Sequence, residues 1–174
     1  MNKKEILAFK TSKVTSPKSE MILRLEKWSP TTINLVPPGK PNQYFIFSLF
    51  SFIGIFKRNN YFYYRFFDKT KLASSFLVVP RFFKWPYMDK GAVQFTYVMT
   101  SSNYRGRGLA WQGIYKAYND LKKNGINQFW YITDSENLAS QRLAEKMGFE
   151  LVGKLEPTKR FFGIIKTLKL NENK

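Results

Sequence analysis

Cysteine and histidine are both missing from this chain of 174 residues. Without cysteine there is no disulfide framework and no thiolate nucleophile. Without histidine there is no Ser-His-Asp triad, no imidazole base and no histidine-containing zinc site. Acidic residues are scarce too: 12 Asp and Glu stand against 29 Lys and Arg, a net charge of +17. Such an excess repels itself unless anionic partners are common. No apolar run is long enough to span a bilayer as a helix, since the most apolar stretch, Tyr44 to Phe56, covers 13 residues. Met1 to Lys27 is basic, without an apolar stretch of signal-peptide length directly after it, so the expectation is a cytoplasmic protein.

What remains is ample material for one folded domain. Hydrophobic residues make up 44% of the chain and aromatics 18%, including 17 Phe and 10 Tyr. The most informative stretch is Tyr104-Arg105-Gly106-Arg107-Gly108-Leu109-Ala110. It lies between a strand-like run, Ala92 to Met99, and a helix-like run, Leu109 to Lys123. Glycine lets backbone approach a ligand closely, and the first turn of a helix offers N–H groups without partners and a positive dipole end. A phosphate or pyrophosphate suits such a turn. A Walker loop is excluded, because no Gly-Lys-Ser/Thr follows a glycine at the required spacing. A dinucleotide fingerprint needs a third glycine where Trp111 stands, and no βαβ unit precedes the turn.

The same residues fit the pattern Gln/Arg-x-x-Gly-x-Gly/Ala, and here the chain resembles the GCN5-related N-acetyltransferases, which hold the pyrophosphate of coenzyme A on such a loop. A second stretch supports the resemblance. Gln128 to Thr133 reads as a buried strand, and Asn137 to Phe149 looks like the family's Asn-led helix ending in a Gly-Phe turn. The resemblance covers about 92–170, the cofactor-binding half. It implies an α/β fold, with a central mixed, mostly antiparallel twisted sheet flanked by helices in a single domain. It also implies acetyl-CoA as cofactor and direct acetyl transfer to the primary amine of a small molecule. Val98 and Met99 would supply backbone contacts to the thioester. Cofactor binding would fall to Val98, Met99, Thr100, Arg105, Gly106, Arg107, Gly108, Leu109, Ala110, Asn137 and Ser140. One position departs from the family: the usual tyrosine, five residues before Phe149, is Ala144. Tyr131 and Tyr97 are the candidate replacements as acid, with Asp134 and Glu136 as proton relays. No metal site is expected.

Elsewhere the pattern is coarser. Ala110, Ile114, Ala117, Tyr118 and Leu121 recur at helical spacing, as do Leu138, Ala139, Leu143, Ala144 and Met147, and both sets are expected in the core. Residues 44–67, with Lys57-Arg58-Asn59-Asn60 as turn, read as an aromatic β-hairpin. Residues 72–91 carry Pro80 and Pro86 and read as an irregular acceptor-side segment. Glu150 to Leu155 and Arg160 to Leu170 read as two strands turning at Glu156 to Lys159. Val79 to Lys84, with Tyr104 to Gly106, looks like acetyltransferases encoded among surface-polysaccharide genes. A nucleotide-linked amino sugar is the acceptor that this implies, with Arg58, Arg65, Arg81 and Lys84 as candidates to meet its phosphates. A protein or peptide amine is the rival acceptor. A non-enzymatic binder of nucleic acid or anionic surfaces is the rival from another class; for nucleic acid, no binding motif accompanies the charge and basic residues run no longer than pairs. The resemblance is also compatible with a homodimer.

Overall fold

The computed structural model describes residues 5–18, 21–39, 44–56, 60–160 and 165–172. The strands are β1 (Ile6–Thr11), β2 (Arg24–Trp28), β3 (Phe62–Asp68), β4 (Lys71–Pro80), β5 (Val93–Thr100), β6 (Phe129–Asp134), β7 (Glu150–Arg160) and β8 (Ile165–Glu172). The helices are α1 (Phe45–Phe52), α2 (Leu109–Lys123) and α3 (Leu138–Lys146). All eight strands join one sheet in the order β2-β3-β4-β5-β6-β1-β7-β8. The β5–β6 pair is parallel and every other pair antiparallel. This is the expected mixed, mostly antiparallel α/β architecture.

The apolar stripe of α2 explains its seat on the sheet. Ala110, Ile114, Ala117, Tyr118 and Leu121 are all buried, against Phe66, Phe76, Phe95 and Phe129. Gly113 belongs to this face because a side chain will not fit there. A Cβ would stand 2.7 Å from Phe66 Cε2 and 3.0 Å from Phe76 Cε1. Lys122 and Lys123 in the last turn of α2 meet the negative end of its dipole, and Gly125, at φ +83°, follows the stop.

Asp120 ties this helix to the far edge of the sheet. Lys27 Nζ of β2 donates to its carboxylate at 2.5 Å, and the Tyr64 hydroxyl of β3 donates at 3.0 Å. The carboxyl is held below its ordinary pKa, chiefly by the Lys27 hydrogen bond. A depressed folded pKa means stability present above the unfolded value and lost as pH falls through the folded one. Wild type is therefore expected to lose its melting-temperature advantage over Asp120→Asn from about pH 4 downward. Parallel acid titration of the two melting temperatures checks this, and a constant difference would refute it.

Four expectations are corrected. Residues 44–67 are not a hairpin: α1 occupies Phe45–Phe52, and β3 begins only at Phe62. Phe and Ile suit strands, but Tyr44, Phe47, Ser48 and Phe50 recur at helical spacing and lie on the side facing Phe56, Tyr61 and Phe82. The irregular segment begins only after Pro80, because Lys71–Pro80 is the buried strand β4, a proline closing its end. The turn expected at Glu156 to Lys159 is strand, with Pro157 opposite Leu168. Proline is tolerated there because β1 pairs β7 only as far as Leu155, so beyond it β7 has a neighbour on one side alone. Finally, Leu138 and Ala139 are exposed rather than in the core, while Ala144 and Met147 are fully buried.

Strand β1 lies between β6 and β7, with Ala8 opposite both Ile132 and Gly153. From its end the chain crosses α2 and α3. Thr15 N–H donates to Met147 O at 2.9 Å, the Thr15 hydroxyl to Lys146 O at 2.8 Å, and Trp111 Nε1 to Thr15 O at 2.8 Å. These bonds fix Pro17 and Lys18 at the rim of the site.

Candidate active site

The site begins where two parallel strands part. β5 and β6 pair only at Val93–Phe129, Gln94–Trp130 and Phe95–Tyr131. Beyond that point β6 continues against β1, and β5 continues against β4. The divergence has a local cause in β5. Between Leu77–Thr96 and Ser75–Met99, β5 carries one more residue than β4. The extra residue opens a bulge at Tyr97, whose φ is +51°. A left-handed aromatic residue is costly, and such strain gathers where a strand must be re-aimed. The bulge swings Val98, Met99 and Thr100 away from β6.

The opening is a cleft of about 950 Å³. One wall is Val98, Met99 and Thr100. The floor is the turn from Tyr104 to Ala110 with Trp111, and the other wall is Tyr131, Asn137 and Ser140 with the α3 face Ala139, Arg142, Leu143 and Lys146. The eleven residues expected to bind cofactor therefore border one cavity, and Tyr131 joins them. Lys18, Arg105, Arg107, Arg142 and Lys146 line it, and among the described residues no Asp or Glu does. Lys18, Arg142 and Lys146 escaped the sequence analysis, and Tyr104 and Trp111 were read only as part of the turn and not as binding residues. For Arg142 and Lys146 a signal existed, since 139, 142, 143 and 146 form one helical stripe. Lys18 had none, because its place depends on the Thr15 bonds across distant helices.

The turn has the features of an anion cradle. Gly106 and Gly108 have φ values of +75° and +70°, with open space where a Cβ would stand. Gly108 is the N-cap of α2, and no side chain caps that end. The first N–H groups of α2 therefore face the cleft beside Arg105 and Arg107. At α3 the Asn137 side chain accepts from Ser140 N–H at 3.1 Å, a capping role that shapes this wall. The Tyr131 and Ser140 hydroxyls are 2.7 Å apart. Burial raises the pKa of Tyr131 above its ordinary value, so it stays a neutral O–H.

Other expected residues lie elsewhere. Tyr97 is half exposed and packs edge-on against Tyr44 at 5.2 Å, and it does not line the cleft. Asp134 ends β6 and Glu136 follows it, both outside the lining, and Glu136 N–H donates to Asp134 Oδ1 at 3.4 Å. Ala144 is buried and offers no proton. Arg65 lies on β3 with its guanidinium 2.6 Å from Glu26 Oε2, its charge already met. Arg81 and Lys84 follow β4 and are not among the residues lining the cleft, and Arg58 falls outside the described residues. Among the described residues no cluster could hold a metal ion.

A twisted sheet split between two parallel strands, with a cationic glycine turn opening a helix at the split, defines a class: acyl-CoA-dependent N-acetyltransferases. The match to known families agrees. Residues 25–149 fit the acetyltransferase (GNAT) family, and the chain belongs to it. No curated protein matches the sequence. Among solved structures, the fold is similar to AAC(6')-Iy in complex with the bisubstrate analog CoA-S-monomethyl-acetylneamine, with TM-score 0.54, 17% identity and coverage of 75% of this chain and 92% of that one. It is similar to the IAA acetyltransferase from Bacillus cereus, with TM-score 0.55, 10% identity and coverage of 81% and 84%. An acetyltransferase of Bacillus subtilis in complex with CoA gives TM-score 0.51, 17% identity and coverage of 81% and 83%. The chain spans only 59% of a functionally unknown Staphylococcus epidermidis protein and 60% of a Novosphingobium aromaticivorans protein that it also resembles.

Proposed function

We propose that this protein transfers the acetyl group of acetyl-CoA directly to a primary amine of a small molecule. The observation that carries this is the convergence of a cationic, acid-free turn and the end of β5 that has parted from β6 on one cleft. The cradle fits the cofactor. Backbone N–H groups from Gly106 to Ala110 would hold the pyrophosphate, that of Arg105 being given to Ser102 O at 3.2 Å, while Lys18 at the rim and Arg142 and Lys146 on α3 add positive charge. When bound, acetyl-CoA supplies an activated thioester. A backbone N–H at Val98 or Met99 would polarise its carbonyl, a contact of about 3 kcal/mol when aimed at developing negative charge. Positioning the amine on the open side of the strand supplies much of the rest.

Tyr131 is the residue of this cleft suited to deliver a proton. Its hydroxyl is kept neutral by burial and is steadied by Ser140. Tyr131→Phe is expected to lower kcat about 100-fold with little change in the acetyl-CoA dissociation constant. Steady-state rates beside calorimetric titration check this, and an unchanged kcat would remove Tyr131 from the chemistry.

For the acceptor, a nucleotide-linked amino sugar has the support of the surface-polysaccharide resemblance and of neighbours such as AAC(6')-Iy. Arg65 is already paired, which leaves Arg81 and Lys84 as its described phosphate contacts. The test is a screen of amino sugars, nucleotide-amino sugars and lysine peptides for release of free thiol. The chain contains no cysteine, so coenzyme A is the only thiol detected. Turnover of peptides alone would favour the rival acceptor. No thermal shift with acetyl-CoA, together with salt-dependent DNA retardation, would overturn the enzyme assignment.

A further inference from the structure

Helix α1 carries six apolar residues in eight, with Ser48 buried and Ser51 half-buried. Its inner face packs on the sheet, Phe47 against Phe56, Tyr61, Phe82 and Trp85, and Phe50 against Phe56 and Phe82. Its outer face consists of Phe45, Ile46, Leu49 and Phe52, continued by Ile53, each between 40% and 60% exposed. Phe83, also exposed, lies 5.8 Å from Phe50 and extends the patch. An apolar helix face left uncovered marks a contact surface.

The charge around it narrows the partner. Arg81 and Lys84 flank Phe82 and Phe83 in sequence at the edge of this patch, on a chain whose net charge is +17. Lys84 is exposed beside Phe83. Two copies of a chain carrying +17 would meet with like charge, which disfavours a self-interface. Aliphatic and aromatic side chains with Lys84 at their edge, on a strongly basic chain, suit an anionic lipid surface, which needs no fixed complementarity. Among the described residues no helix is long and apolar enough to cross a membrane.

We propose that the exposed face of α1, with Phe83 and Lys84, docks this protein onto an anionic phospholipid bilayer. The helix also adjoins the catalytic strand, because Tyr44 at its N-cap packs on Tyr97, the bulge residue next to Val98. Docking thus holds the acceptor side of β5 close to the lipid surface.

The experiment is co-sedimentation with vesicles of phosphatidylcholine alone and of phosphatidylcholine with phosphatidylglycerol at about 7:3. Wild type is expected to bind the mixed vesicles at least about tenfold more strongly than the neutral ones. The variant Ile46→Glu/Ile53→Glu is expected to lose at least about tenfold of that affinity, with unchanged circular dichroism and unchanged acetyl-CoA binding. In a second variant, Phe52→Trp, the indole fluorescence is expected to shift to the blue and to be quenched by brominated lipid. Absence of binding to the mixed vesicles overturns the proposal. So does equal binding by the double variant, or an unquenched Phe52→Trp. A dimer detected by light scattering and broken by the double variant would reassign the face to a second copy. Acetyl-CoA binds in the cleft and not at α1, so failure of cofactor binding alone leaves this result readable.

Discussion

Gly108→Asp is expected to weaken acetyl-CoA binding about 100-fold, roughly 2.7 kcal/mol, while the fold survives. Two effects combine. The residue has a φ of +70°, which an L side chain tolerates poorly, and the carboxylate would stand at the positive end of α2 where an anion is to bind. Space is not the difficulty, because a Cβ there meets nothing within 4 Å. Gly108→Asn separates the two effects: asparagine accepts the left-handed region better and carries no charge. Calorimetric titration should rank wild type first, Asn next and Asp last. Equal affinity for all three would reduce the loop to a plain turn.

Gly113→Val is expected to destabilise the protein by about 3 kcal/mol or more, by overpacking. Here the obstacle is space and not dihedral angle. The first added atom already falls at 2.7 Å from Phe66 Cε2, with Phe76 Cε1 behind it at 3.0 Å. Both rings are buried, stacked on each other at a centroid distance of 6.0 Å, and cannot both retreat. Alanine is the informative intermediate. Its better helix propensity is worth about 1 kcal/mol, so Gly113→Ala should lose less, and a gain in stability would mean that the rings yield. Urea denaturation with a common m value measures both.

The halves of the chain differ in how openly the sequence declared them. The stretch from Val93 to Phe149 was readable because its signals are local: a glycine turn, a 3.6-residue stripe on α2, an Asn cap and a Gly-Phe stop. Each is settled by residues a few positions apart. α1 was missed because Phe and Ile favour strands in isolation, and only the buried aromatic floor beneath it decides for a helix. β1 was missed because six residues show little periodicity and their partners lie far along the chain. Arg142 and Lys146 were within reach of the sequence, and Lys18 was not. Tyr97 was chosen for its place in β5, but the bulge that creates the cleft also turns its ring toward Tyr44. No sequence signal announced that inversion.

The position of β1 bears on the order in which the chain can fold. Its neighbours are residues 129–134 and 150–155, so the strand made early must wait for most of the chain to be synthesised. Until then Leu7 and Phe9 have no partners, and β6 and β7 have nothing between them. The sheet on the α3 side therefore closes late, after the local β3-β4-β5 meander is available to form. A nascent chain halted before Leu155 would present two unpaired strand edges at once, a natural grip for a chaperone.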